Sequence, residues 1–166
     1  MTTPPSLRSD PIAPASGAHE LAPERVWQRA VVEFAQRHQL PEEHVLAGAG
    51  FVCADVTFQI HYNVETDPQG LVLMMDMGEI PAETAHHVHL EMLANNARGA
   101  APLLGYQGIF PGIRRGAHCV RLDLARCPDP SVAISAAAAA LSLSVHKARD
   151  SMQGMLRDVA EMVADA

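Results

Sequence analysis

The chain of 166 residues carries little positive charge, and of its 12 basic residues only Lys147 is a lysine. Acidic residues number 19, which gives a formal net charge of −7. Proteins that bind nucleic acid through its phosphates usually carry the opposite balance, so we expect no nucleic-acid partner. Aromatic residues make up 4% of the chain, which is too few for the stacking platforms that bind single-stranded bases.

Cysteine is also scarce, and Cys53, Cys119 and Cys127 include no CxxC pair. An odd number of scattered cysteines predicts reduced thiols and not a disulfide framework. No stretch approaches the roughly 18 consecutive apolar residues of a membrane-spanning helix. The first residues lack the apolar segment and cleavage pattern of a secretory signal. These absences predict a cytoplasmic protein that does not insert into a membrane.

Signatures of catalysis are missing too, since the chain has no GxSxG, no GxxxxGK[ST] and no GxGxxG motif. We therefore expect no enzyme, no catalytic residue and no cofactor. One cluster leaves an alternative open, because His86, His87 and His89 lie close to Glu83 and Glu91. Such residues at helical spacing can hold a metal ion, although the HExxH pattern is absent and a further ligand would have to come from elsewhere. The alternative is a small metal-binding protein or enzyme that uses this cluster.

The overall composition is typical of a globular protein, with 48% hydrophobic and 19% charged residues. A chain of this length suits one domain with a buried core. Residues 1–22 differ, because they contain four of the 12 prolines, small polar residues and no periodicity. They are predicted to form a disordered N-terminal tail, and residues 23–166 a single domain.

The spacing of apolar residues predicts eight elements in the order α-β-β-β-α-β-β-α. Helices are predicted at residues 24–38, 82–97 and 130 onward, and strands at 45–53, 56–63, 71–77, 103–110 and 119–124. The Asp-Pro-Gln-Gly turn at 67–70 indicates a hairpin, and hence an antiparallel pair of strands. The predicted fold class is α+β, with a mainly antiparallel sheet packed by helices.

The last predicted helix carries one continuous apolar seam whose spacing alternates between four and three residues. The seam consists of Ile134, Ala138, Leu141, Val145, Ala148, Met152, Met155, Val159 and Met162. This pattern is typical of a helix packed on its own sheet, and a coiled-coil partner is the alternative interpretation.

The first predicted helix carries a broad apolar stripe that includes Trp27, Val31 and Phe34. The chain also contains eight methionines, whose flexible side chains suit adaptable contact surfaces. A small five-stranded sheet with one layer of helices cannot cover all this apolar surface, so we expect a partner or a second copy to share it. Because aromatic anchors dominate peptide binding, we predict that Trp27, Val31 and Phe34 bind the partner, while Val31 and Phe34 also serve the core.

Two stretches resemble a known family. Met77-Gly78-Glu79-Ile80-Pro81, followed by Leu90-Glu91-Met92-Leu93-Ala94-Asn95-Asn96, is similar to the turn after the third strand and the LLxAN ending of the second helix in one family. That family is the class I type III secretion chaperones, the Tir chaperone (CesT) family. The segment Leu104-Gly105-Tyr106, the strand at 119–124 and the long last helix extend the resemblance over residues 24–160.

The resemblance implies a cytoplasmic homodimer that binds the N-terminal region of a secreted effector protein. Such a chaperone keeps its effector soluble and secretion-competent and delivers it to the secretion apparatus. The resemblance also implies a dimer interface built from the second helix and the following strand, through Val88, Met92, Leu104, Tyr106 and Ile109. A generic dimeric protein-interaction module outside secretion is the remaining alternative.

Overall fold

The computed structural model describes residues 22–99 and 105–164. Its elements are α1 (Pro23–Arg37), α2 (Glu42–Leu46), β1 (Phe51–Cys53), β2 (Val56–His61), β3 (Gly70–Glu79), α3 (Ala85–Arg98), β4 (Tyr106–Ile109), β5 (Arg115–Asp123) and α4 (Pro130–Ala164). All eight predicted elements are present in the predicted order, so the α+β class is confirmed. Residues 1–21 of the predicted tail and the predicted interface residue Leu104 lie outside the described residues.

The five strands form one antiparallel sheet in the order β1-β2-β3-β5-β4. Ala54 and Asp55 join β1 to β2 with positive φ angles of 49° and 63°, which is the geometry of a two-residue type I′ hairpin turn. In the next hairpin Phe58 pairs with Met75, so both side chains lie on the same face of the sheet. This order leaves β1 at one edge of the sheet and β4 at the other.

The largest error in the predicted elements concerns the first strand, because residues 42–46 form α2 and β1 begins only at Phe51. Pro41 caps α2, and Glu42 and Glu43 place negative charge in its first turn, where the helix dipole favours it. Gly48 then adopts a φ of 75° and turns the chain between helix and strand. The apolar residues assigned to a long strand therefore belong to two different elements.

The main core lies between one face of the sheet and the helices α1, α3 and α4. Alternate residues of β3 supply its centre, namely Leu71, Leu73, Met75 and Met77. A smaller cluster on the opposite face consists of Met74, Phe110, Ala117 and Cys119. The methionines of β3 are all buried, so they fill the core and offer no surface to a partner.

Helix α4 packs its seam on the chain's own sheet, as predicted. The first eight seam residues, from Ile134 to Val159, are buried, whereas Met162 is 57% exposed. At the start of the helix, the carboxylate of Asp129 accepts hydrogen bonds from the Val132 N–H (3.1 Å) and the Ser131 hydroxyl (2.8 Å). These bonds stabilise the charged form and lower the pKa of Asp129.

Among the described residues, α4 is also the one helix whose length and composition would allow it to cross a membrane. Its most apolar window of 18 residues has a mean hydropathy of 1.3, and 33% of that window is buried. The core helix of a soluble protein meets the same criterion, so the criterion alone is weak evidence for a membrane span.

Candidate functional site

The three residues predicted to bind a partner lie on α1 but differ in exposure. Val31 is fully buried in the main core, as predicted, because the inward face of α1 packs on the chain's own sheet, and its side chain leaves no surface for a partner. Phe34 is buried as well, and its ring lies 5.2 Å from that of Phe51 between centroids. Trp27 is half-buried and stacks on Tyr62 with a centroid distance of 4.8 Å. Of the three, Trp27 therefore keeps the most surface for a partner.

A surface cavity of about 190 Å³ lies where the end of α1, strand β1 and the first half of α4 meet. Its lining residues are Phe34, His38, Leu40, Phe51, Val52, Cys53, Ser135 and Ala138. The buried ring of Phe34 thus borders the cavity, and Trp27 does not. The cavity therefore borders α1, the helix of the predicted binding residues, at its C-terminal end only.

Most residues that line this cavity are apolar and none is Asp, Glu, Lys or Arg, but polar atoms form nearly half of the exposed wall. Its polar contribution comes from His38 and Ser135, whose Nε2 and Oγ atoms are 2.9 Å apart and link the end of α1 to α4. Residues 130–145 of α4 contain no charged side chain, although part of this segment faces outward. The cavity can therefore contact apolar side chains and hydrogen-bond to uncharged polar ones, and it offers no Asp, Glu, Lys or Arg as a counter-ion.

Strand β1 presents unpaired backbone groups beside this cavity. Cys53 and Val56 flank a two-residue hairpin turn and exchange backbone hydrogen bonds, and such bonded pairs recur at every second residue. Val52, which faces Thr57 between two bonded pairs, therefore directs its N–H and C=O away from the sheet. No hydrogen bond from another described residue reaches these groups, and the Val52 side chain is 62% exposed.

We call the cavity and the adjoining edge of β1 the β1 groove. A peptide in extended conformation could pair with the outward backbone groups of Val52 and place alternate side chains in the cavity. No signal in the sequence identifies Val52, because its edge position follows from the strand order and not from its neighbours.

Two of the five predicted dimer residues are buried within the protomer. Val88 and Met92 lie in the main core, so their assignment to an interface is wrong, because this face of α3 packs on the chain's own elements. Ile109 is half-buried against the same core. Tyr106 is 40% exposed and remains accessible.

The exposed apolar residues of α3 are Leu90 and Leu93, at 53% and 65% exposure. Leu93 does not share the buried side of α3 with Val88 and Met92. A rotation of about 100° per residue places it well away from Val88, and this signal was available in the sequence. Leu90 and Leu93 are three residues apart and form one exposed apolar patch, which we call the α3 patch.

The histidine cluster does not form a metal site in the part of the chain that the structure describes. His86 and His87 are exposed, with ring centroids 5.6 Å apart, and His89 is half-buried. Across residues 22–99 and 105–164, no group of three or more His, Cys, Asp or Glu side chains is placed to hold a metal ion. The geometry therefore gives no support to the metal-binding alternative.

The polar groups on the opposite face of the sheet satisfy one another. The carboxylate of Asp76 accepts hydrogen bonds from Arg115 Nε (3.0 Å) and Nη2 (2.6 Å), and these bonds join β3 to β5. The neighbouring thiol of Cys119 is buried, and this burial raises its pKa to about 12. The thiol is therefore protonated and a poor nucleophile at neutral pH.

Comparison with known proteins adds no family assignment, since no protein-family model matches the chain and no curated protein matches its sequence.

Proposed function

We propose that the chain is a type III secretion chaperone, which binds the N-terminal region of a secreted effector protein, keeps it soluble and secretion-competent, and delivers it to the secretion apparatus. The proposal draws on the sequence resemblance and on the element order, to which only the short α2 is an addition. On this proposal the protein acts in the cytoplasm as a homodimer and needs no cofactor.

The observation that carries the proposal is the β1 groove. It combines a sheet edge with free hydrogen-bonding groups at Val52 and a cavity, lined mostly by apolar residues, next to that edge. An effector segment that is not yet folded can pair with such an edge through its backbone, which requires no particular sequence. The cavity adds a preference for apolar side chains at alternate positions, so one groove can select a segment by pattern.

The dimer is proposed to form through the α3 patch. Leu90 and Leu93 on one protomer would pack against the same residues of the second copy across a two-fold axis. Tyr106 is also exposed, but it pairs with Cys119 and its side chain therefore lies on the opposite face of the sheet from α3, outside this surface. Leu90 and Leu93 replace Val88 and Met92, which the fold already uses.

The proposal is tested by co-expression of the chain with each protein encoded next to its own gene, followed by purification. We expect one of these proteins to co-purify through its N-terminal region. The Val52→Pro variant should weaken that binding, because proline removes the outward N–H without removing a bond to β2. The expected loss is about 0.5–1.5 kcal/mol, or roughly 2- to 13-fold in Kd.

The matched control is Val52→Thr, which keeps the backbone N–H and nearly the same side-chain volume and should bind as the wild type does. Circular dichroism verifies that both variants are folded. Equal binding by the two variants would remove the β1 edge from the site. If none of the neighbouring gene products binds, the secretion function is refuted.

A further inference from the structure

The edge strand β4 differs from β1 because its outward backbone groups have hydrogen-bond partners. The Phe110 N–H bonds to the Arg115 carbonyl at 3.0 Å, and bonded pairs between antiparallel strands recur at every second residue. Gly108 and Tyr106 are therefore bonded to β5. Gln107, which lies between them, directs its N–H and C=O out of the sheet, as Val52 does on β1.

Both outward groups of Gln107 are occupied by one side chain. Asn96 Nδ2 donates to the Gln107 carbonyl at 2.7 Å, and the Gln107 N–H donates to Asn96 Oδ1 at 2.7 Å. A carboxamide has the same donor and acceptor as a peptide group, so Asn96 takes the place that one residue of a neighbouring strand would take. The last turn of α3 holds this side chain against the edge.

We infer that Asn96 closes the β4 edge and prevents β4 from pairing with the β4 strand of a second copy. An exposed strand edge is a template for pairing with another chain, and proteins protect such edges by covering them. Pairing needs outward N–H and C=O groups that are free at successive alternate positions. Asn96 occupies both groups of Gln107, in the middle of a strand of four residues. The inference does not depend on the proposed function.

The comparison with β1 supports the inference. The described residues supply no equivalent side chain at Val52, while the β4 edge receives two hydrogen bonds of 2.7 Å. The sheet therefore has one closed edge and one open edge. Strand addition by any partner would be directed to β1.

The experiment compares Asn96→Ala with the matched control Asn95→Ala, a half-buried asparagine one position earlier in α3. Hydrogen exchange and sedimentation velocity over about a 100-fold concentration range are measured for both. We expect the Gln107 amide of Asn96→Ala to exchange at least about tenfold faster, because its acceptor is lost. We also expect species larger than those of the wild type at high concentration. The Asn95→Ala variant should show neither change.

A second variant separates edge pairing from a simple loss of packing. Ile109→Pro removes the next outward N–H of β4 and leaves the bonds to β5 in place. Added to Asn96→Ala, it should abolish the larger species while the faster exchange of Gln107 remains. Larger species that persist in the double variant would overturn the inference.

Unchanged exchange and unchanged sedimentation of Asn96→Ala would overturn it as well. If Asn96→Ala does not fold, Asn96→Leu takes its place in the same measurements, because leucine keeps the size of the side chain and loses both the acceptor for the Gln107 N–H and the donor to its carbonyl. The same two outcomes then decide the inference.

Discussion

Truncation of Met152 on α4 is expected to cost far more stability than truncation of Met162, ten residues further along the same seam. Met152 is fully buried, and its methyl group lies against Gly116 of β5, where a side chain would overlap it. Methionine-to-alanine changes at enclosed sites cost about 2–5 kcal/mol, which combines lost transfer energy with the cavity left behind. Met162 is 57% exposed, so its truncation should cost less than about 0.5 kcal/mol.

Met152 projects from α4 toward β5 and α3, so elements on several sides prevent the site from collapsing. We therefore expect a loss of unfolding free energy of about 3 kcal/mol. For a domain of this size that loss corresponds to roughly 10 °C in Tm. Thermal and urea denaturation of Met152→Ala and Met162→Ala, followed by circular dichroism, measure both changes. A similar loss in the two variants would refute the reasoning. It would mean that the end of α4 is buried in a complex, as in a coiled coil.

Three further outcomes are expected. Leu93→Asp should yield a folded monomer by light scattering, whereas Met92→Asp should unfold the protein, because a buried carboxylate is strongly disfavoured. With a pKa of about 12, Cys119 should resist iodoacetamide at pH 8 while the other two thiols react, as mass spectrometry will show. Hydrogen bonds from Arg121 lower the pKa of Asp67, so the stability from this pair is present above the unfolded pKa and lost as pH falls through the folded one. Asp67→Asn should remove that part of the acid dependence in urea titrations.

The sequence was sufficient to predict elements whose burial follows a regular period. The seam of α4 and the alternation of β2 each reflect one local repeat facing one core, so the repeat predicts both the element and its inward side. The secondary structure of residues 42–53 was predicted wrongly, because the segment is short and combines a helix with a strand. Its few apolar residues do not distinguish one turn of helix from a strand. The position of Gly48 marked the boundary, but a glycine alone does not say which element precedes it.

The site was harder to predict than the fold, because its parts are far apart in the chain. The β1 groove joins Phe34, Val52 and Ala138, whose proximity depends on how α1 and α4 cross the sheet. Trp27 and Phe34 belong to one apolar stripe, yet the first stacks on Tyr62 and the second borders the cavity. A stripe shows that a helix face is apolar, and it does not show which turn of that face meets an opening.

The strand order places the two proposed contact surfaces at opposite edges of the sheet. The α3 patch lies on the helix that packs against β4, and the β1 groove lies four strands away. Adjacent strands are about 4.8 Å apart, so the two edges are separated by about 19 Å. A dimer formed through α3 therefore leaves the β1 edge of each protomer free, and a two-fold axis gives two equivalent grooves. The hydrogen bonds of Asn96 to Gln107 fit this arrangement, because on the proposals above they would keep β4 from pairing at the dimer contact and leave β1 as the edge for a partner strand.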